Sequence, residues 1–78
     1  MKIYWTGTSK NLVGSKVREI RKSKGWTQKY VATKLQLQGI DCSDLTVLRM
    51  ENGSRFIADY EVKSLAEVLG ISISELFE

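Results

Sequence analysis

Residues 27–53, TQKYVATKLQLQGIDCSDLTVLRMENG, constrain this chain more than any other stretch. Val31, Ala32 and Leu35 recur at helical spacing in the first half, and Val47 and Met50 do so in the second. Each half opens on a residue whose side-chain oxygen can take a free backbone N–H, Thr27 and Ser43. Each half runs into residues that tolerate the left-handed conformation ending a helix, Gly39 and then Asn52-Gly53. The spacing therefore predicts two short helices, from Thr27 to about Gln38 and from about Asp44 to Glu51, joined by a bend at Gly39-Ile40-Asp41-Cys42.

The flanking segments add helices and little else. Residues 12–24 carry an apolar stripe of Leu12, Val13, Val17 and Ile20, with Asn11 as the expected N-cap and Gly25 as the stop. Lys22 and Lys24 fall in the last turn, where positive charge suits the helix dipole. With Lys16 and Arg18 they give this helix a basic outer face. After a connection in which Phe56 or Ile57 is expected to plug the core, Asp59 is expected to cap a fourth helix. Its stripe is Val62, Leu65, Ala66 and Leu69, and Gly70 ends it. Ser72 followed by Glu75 reads as a capping box opening a last short helix, with Leu76 and Phe77 closing the core. The expected class is all-α with five helices. Residues 1–10 form a short N-terminal tail and residues 11–78 the folded domain. Tyr4 and Trp5 in the tail would be costly to leave in water, so they are expected to pack on the chain's own helices or on a second copy.

Charge is distributed unevenly. The 78 residues carry a net +3, but residues 1–34 hold nine Lys/Arg against one acid, Glu19, and residues 35–78 hold three against eight. A basic half fits a polyanionic partner as well as it fits a solvated charged face. Apolar residues make up 42% of the chain, enough for one small globular domain, and no apolar run is long enough to span a membrane. No signal peptide is visible, and a single cysteine fits a reducing cytoplasm. The absence of histidine excludes zinc ligation of the usual kind. No nucleophile–base constellation or phosphate-cradling glycine loop is present, so neither an enzyme nor a cofactor site is expected.

Taken in order, Ile20-Arg21, Lys24-Gly25-Trp26-Thr27-Gln28, Val31-Ala32, Leu35, Ser43, Thr46, Arg49, Glu51-Asn52-Gly53, Leu65-Ala66, Leu69-Gly70-Ile71-Ser72 and Leu76-Phe77 resemble the Cro/C1-type (XRE-like) helix-turn-helix domains of phage and bacterial repressors. The resemblance covers about residues 12–77. It implies a five-helix, lambda repressor-like fold that binds double-stranded DNA through its third helix. It further implies phosphate contacts from Gln28, Lys29, Asn52, Arg55 and Lys22, and base contacts from Ser43, Asp44, Leu45 and Arg49. Arg49 is the strongest base reader by chemistry, because arginine can give guanine O6 and N7 two hydrogen bonds. Arg21 and Glu51 correspond to the family's ion pair bracing the first helix against the third.

The implied function is a transcriptional regulator, a repressor acting as a cytoplasmic homodimer on a palindromic operator, with no small-molecule ligand expected. Two features depart from the family's pattern. The span from Gln28 to Ser43 is longer than usual, so helix two is expected to gain a turn through Gln36-Leu37-Gln38. The third helix is also short of polar readers. Leu48 is expected to pack under the long bend, and Leu45 either packs there or faces a partner. The alternative function is a helix-turn-helix scaffold used for protein binding, as an antitoxin-like or adaptor module. Cys42 is expected to be a buried, unreactive thiol.

Overall fold

The computed structural model describes residues 9–78, in which five helices and no strand are found. They are α1 (Gly14–Ser23), α2 (Gln28–Leu37), α3 (Asp44–Glu51), α4 (Asp59–Leu69) and α5 (Ile73–Leu76). The Tyr4 and Trp5 expectation lies outside the described residues. No described helix is long and apolar enough to cross a membrane.

Capping chemistry sets most of the helix limits. The Thr27 hydroxyl accepts from the Tyr30 N–H at 3.0 Å and starts α2. Ser43 and Thr46 close a reciprocal box at the start of α3, and Ser72 and Glu75 do so at α5. The first four helices all end the same way. The chain turns left-handed at Gly25, Gly39, Gly53 and Gly70, and the N–H groups of that glycine and of the residue after it reach back to the last turn. At the end of α2, for example, the Gly39 and Ile40 N–H groups donate to the Gln36 and Leu35 carbonyls, both at 3.0 Å.

The long bend is therefore ordered. Ile40 and Cys42 drop into the core on either side of exposed Asp41. The Gln36 side-chain amide donates to the Cys42 carbonyl at 2.6 Å, and the Cys42 thiol donates to the Ala32 carbonyl at 3.6 Å. Helix two runs through Leu37, with Gln38 as its cap residue. Burial pushes the Cys42 thiol above its ordinary pKa, with nearby Asp41 and Glu61 adding to the effect. A thiol held protonated in this way is a packing group and not a nucleophile.

One core joins the helices: Val13 and Val17 from α1 and its cap, Val31, Ala32 and Leu35 from α2, and Val47 and Met50 from α3. Leu65, Ala66 and Leu69 from α4 and Leu76 from α5 complete it. Several expectations are corrected. Leu12 is 62% exposed, because the chain enters α1 only at Gly14. The expectation that Phe56 or Ile57 plugs the core is met by Ile57, while Phe56 stays exposed near the Lys10 ammonium. Phe77 is exposed, since α5 ends at Leu76 and only that residue points inward. Leu48 does not pack under the bend; it is 41% exposed, because the inward face of α3 is taken by Val47 and Met50 and Leu48 falls to its flank. The cap of α4 is Ala58 and not Asp59, with the Ala58 N–H donating to the Glu61 carboxylate at 2.8 Å.

Candidate nucleic-acid interface

The orientation of α3 is fixed by one buried carboxylate. Arg21 Nε donates to Glu51 Oε2 at 2.6 Å and Arg21 Nη2 donates to Glu51 Oε1 at 3.0 Å. The third nitrogen, Nη1, donates to the Trp26 carbonyl at 2.7 Å, and Gln28 Nε2 donates to Glu51 Oε1 at 3.1 Å. Glu51 thus gathers donors from α1 and α2 at the end of α3. A planar guanidinium suits this role because its two parallel bonds fix an angle as well as a distance. The expected ion pair is present and is structural in character.

Held this way, α3 turns Asp44, Leu45, Leu48, Arg49 and Asn52 outward, all exposed. Leu45 and Asn52, two turns apart, run along the middle of that face, with Leu48 and Arg49 on either side. Arg49 has no side-chain partner among the described residues. Asp44 Oδ1 accepts from the Leu45 N–H at 3.0 Å, and the Ser43 hydroxyl is held by its cap with Thr46. Of the four base-contact candidates, Leu45 and Arg49 are therefore free of local commitments, while Ser43 and Asp44 already serve the helix start.

The phosphate candidates divide in a similar way. Lys22 and Lys29 are exposed without partners among the described residues. The Gln28 side chain is occupied at Glu51, but the N–H groups of Gln28 and Lys29 have no acceptor there and sit at the positive end of α2. Asn52 Oδ1 accepts from the Ser54 N–H at 3.0 Å, which leaves its amide nitrogen unpaired among the described residues. Arg55 lies against Glu61 with contacts of 3.2 and 3.3 Å, so it reaches another anion only by leaving that carboxylate.

A cleft of about 250 Å³ opens between these elements, lined by Arg18, Arg21, Gln28, Leu48, Glu51 and Asn52. Gln28 and Asn52 were singled out separately in the sequence, and the fold brings them to one place. Arg18 and Leu48 were not expected there. Arg18 stands one helical turn before Arg21, so the helical spacing from the ion pair was the available signal. Beside the cleft, half-buried Trp26 packs edge-on to Tyr30 at 4.8 Å, and the Lys24 and Lys34 ammoniums lie 5.2 and 5.8 Å from its ring centre. These contacts hold the two lysines next to the start of α2. Among the described residues no cluster of potential metal ligands is found.

A helix-turn-helix family model matches residues 17–76, from within α1 to the last residue of α5. No curated protein and no solved structure gives a significant match. The matched span holds the capped α2 and α3, the Arg21–Glu51 brace and the exposed face of α3, and the resemblance noted in the sequence rests on the same residues. The chain belongs to the Cro/C1-type helix-turn-helix family of DNA-binding regulators.

Proposed function

We propose that this protein is a sequence-specific repressor that binds a palindromic operator as a homodimer and places α3 in the major groove. The observation that carries this is the exposed face of α3, where an unpaired Arg49 and an exposed Leu45 project from a helix braced against α1 and α2. Arg49 would take guanine O6 and N7, and Leu45 would touch a thymine methyl. Unpaired Lys22 and Lys29, the amide of Asn52 and the free N–H groups of α2 would grip phosphates and set the register. Arg55 joins them on releasing Glu61. A single α3 offers too few base contacts for tight specific binding, and a two-fold pair doubles them on half-sites about 34 Å apart. Exposed Ile73 of α5 and Phe77 just after it are the favoured surface for that pairing; Leu76 is buried and takes no part. Repression needs the least beyond binding, since a domain seated over a promoter excludes polymerase. The place of action is the bacterial cytoplasm, on the nucleoid.

The test is fluorescence anisotropy with DNA fragments selected by the protein itself. Binding is expected to weaken steeply with salt, because each phosphate contact releases a condensed counterion. No binding to any fragment at about 50 mM salt would sink the proposal. A second measurement separates base from backbone contacts. Arg49→Ala is expected to cost about 1–3 kcal/mol on the selected site and to erase preference at one base pair. Uniform weakening across all sequences would instead place Arg49 on the backbone. A protein-binding role is favoured by one observation only, the outward Leu37, Leu45 and Leu48. A stoichiometric protein partner covering α3, together with absence of DNA binding, would establish it.

A further inference from the structure

We propose that the cleft between α1, α2 and α3 seats one sugar–phosphate unit of the DNA backbone, with Arg18 as its cationic contact and Leu48 as its apolar floor. This rests on the DNA-binding reading above and names two residues in it. The cleft is lined by two guanidiniums and one carboxylate. Arg21 and Glu51 neutralise each other through two hydrogen bonds of 2.6 and 3.0 Å. The remaining charge of the cleft is that of Arg18, which is exposed and has no partner among the described residues. An anion entering the cleft therefore meets one uncompensated cation, and it stands on α1, outside the helix-turn-helix pair.

The other lining groups suit the same occupant. The Asn52 amide nitrogen is unpaired because its oxygen already serves Ser54. The Gln28 N–H, at the start of α2, has no acceptor among the described residues. Those donors fit phosphate oxygens. Leu48 is the one apolar lining residue, and a bare inorganic anion has no use for it. The carbon face of a deoxyribose does. At about 250 Å³ the cleft has several times the room of one water, whose share of liquid volume is about 30 Å³. Leu48 thereby acquires a role that neither core packing nor a protein partner supplies.

The experiment measures binding of the full chain to a panel of duplexes, with and without thymines in the selected site, over a range of salt. Arg18→Ala removes an exposed side chain, so its melting temperature should match the wild type. It is expected to weaken every duplex several-fold and to lower the slope of log affinity against log salt by about 1. Lys63→Ala, an equal charge change at an exposed position of α4, should leave the slope unaltered. Leu48→Ala is expected to weaken all duplexes by one common factor. An Arg18→Ala slope equal to that of wild type, while Asn52→Ala weakens binding, overturns the seat and leaves the DNA-binding reading standing. A Leu48→Ala effect confined to thymine-bearing duplexes, or absent, overturns the assignment of Leu48. Failure of the wild type to bind any duplex overturns both the seat and the reading beneath it.

Discussion

Glu51→Ala is expected to remove a large share of the stability of this domain. The Glu51 side chain is 1% exposed and that of its partner Arg21 is 10% exposed. Truncating the acid leaves a guanidinium in that position with no counter-charge, and it also strips the Gln28 amide of its acceptor. Breaking a buried pair from one side costs about 3–5 kcal/mol, because the uncompensated charge keeps its desolvation penalty. A domain of 78 residues has in total about 4–12 kcal/mol, at about 0.05–0.15 kcal/mol per residue. In a thermal melt the loss should appear as a fall of about 15 °C or more. A melting temperature within a few degrees of wild type would mean that Arg21 finds water or another acceptor on losing Glu51. The double variant Arg21→Met with Glu51→Leu separates charge from packing. Removing both charges is expected to recover most of the loss. It also removes the bonds that fix the angle of α3, so DNA affinity should stay low in a chain that folds. A double variant as unstable as the single one would show that the pair stabilises by more than mutual neutralisation.

What the sequence made legible was whatever depends on neighbours in the chain. Caps at Thr27, Ser43 and Ser72, glycine stops, and the inward faces of α2 and α4 follow from short-range hydrogen bonding and the helical repeat, and they appear where expected. The Arg21–Glu51 pair was legible only through family resemblance, since its members are 30 residues apart. Apart from Leu48, the misses lie at element ends. Leu12 and Phe77 are apolar and stand beside helices, but each falls outside the segment whose repeat would turn it inward. Leu48 lies mid-helix, one position past inward Val47, and only the assembled helices show that its side chain faces the cleft rather than the bend. For the candidate site, the outward side chains of α3 could be named from periodicity, but their prior commitments could not. Gln28 to Glu51, Arg55 to Glu61 and Asn52 to Ser54 are tertiary or turn contacts. The cleft needs three helices in place before it exists.

Gly14 carries the least visible constraint, and Gly14→Ala is the second large expected effect. Helix propensity alone favours alanine over glycine by about 1 kcal/mol. The surroundings reverse the sign. Gly14 is buried where α1 starts against the end of α3, and a Cβ there would run into the Met50 carbonyl oxygen. The same Cβ would stand 2.7 Å from Asn11 Oδ1. That side chain is itself fixed: its oxygen accepts from the Gly14 N–H at 2.7 Å, and its nitrogen donates to the Met50 and Arg55 carbonyls at 3.0 and 2.9 Å. Asn11 thus caps α1 from two positions before the formal cap, Val13, and ties it to α3 and the following loop. The main obstacle is backbone, which cannot rotate aside, so α1 must lift from α3 and strain or break the Asn11 bonds. Overpacking and the loss of one or more of these bonds together give a net cost of about 2–4 kcal/mol in urea unfolding. Ser15→Ala, one residue on and exposed, should stay within about 0.5 kcal/mol of wild type. Adding Asn11→Ala to Gly14→Ala should not restore stability, because the Met50 carbonyl remains; restoration would identify the amide side chain as the true obstacle. Because this contact also sets how α1 and its Arg18 approach α3, the variant should lose affinity for all DNA sequences in equal proportion. A stabilised Gly14→Ala protein would show that the two helices are not in such close contact.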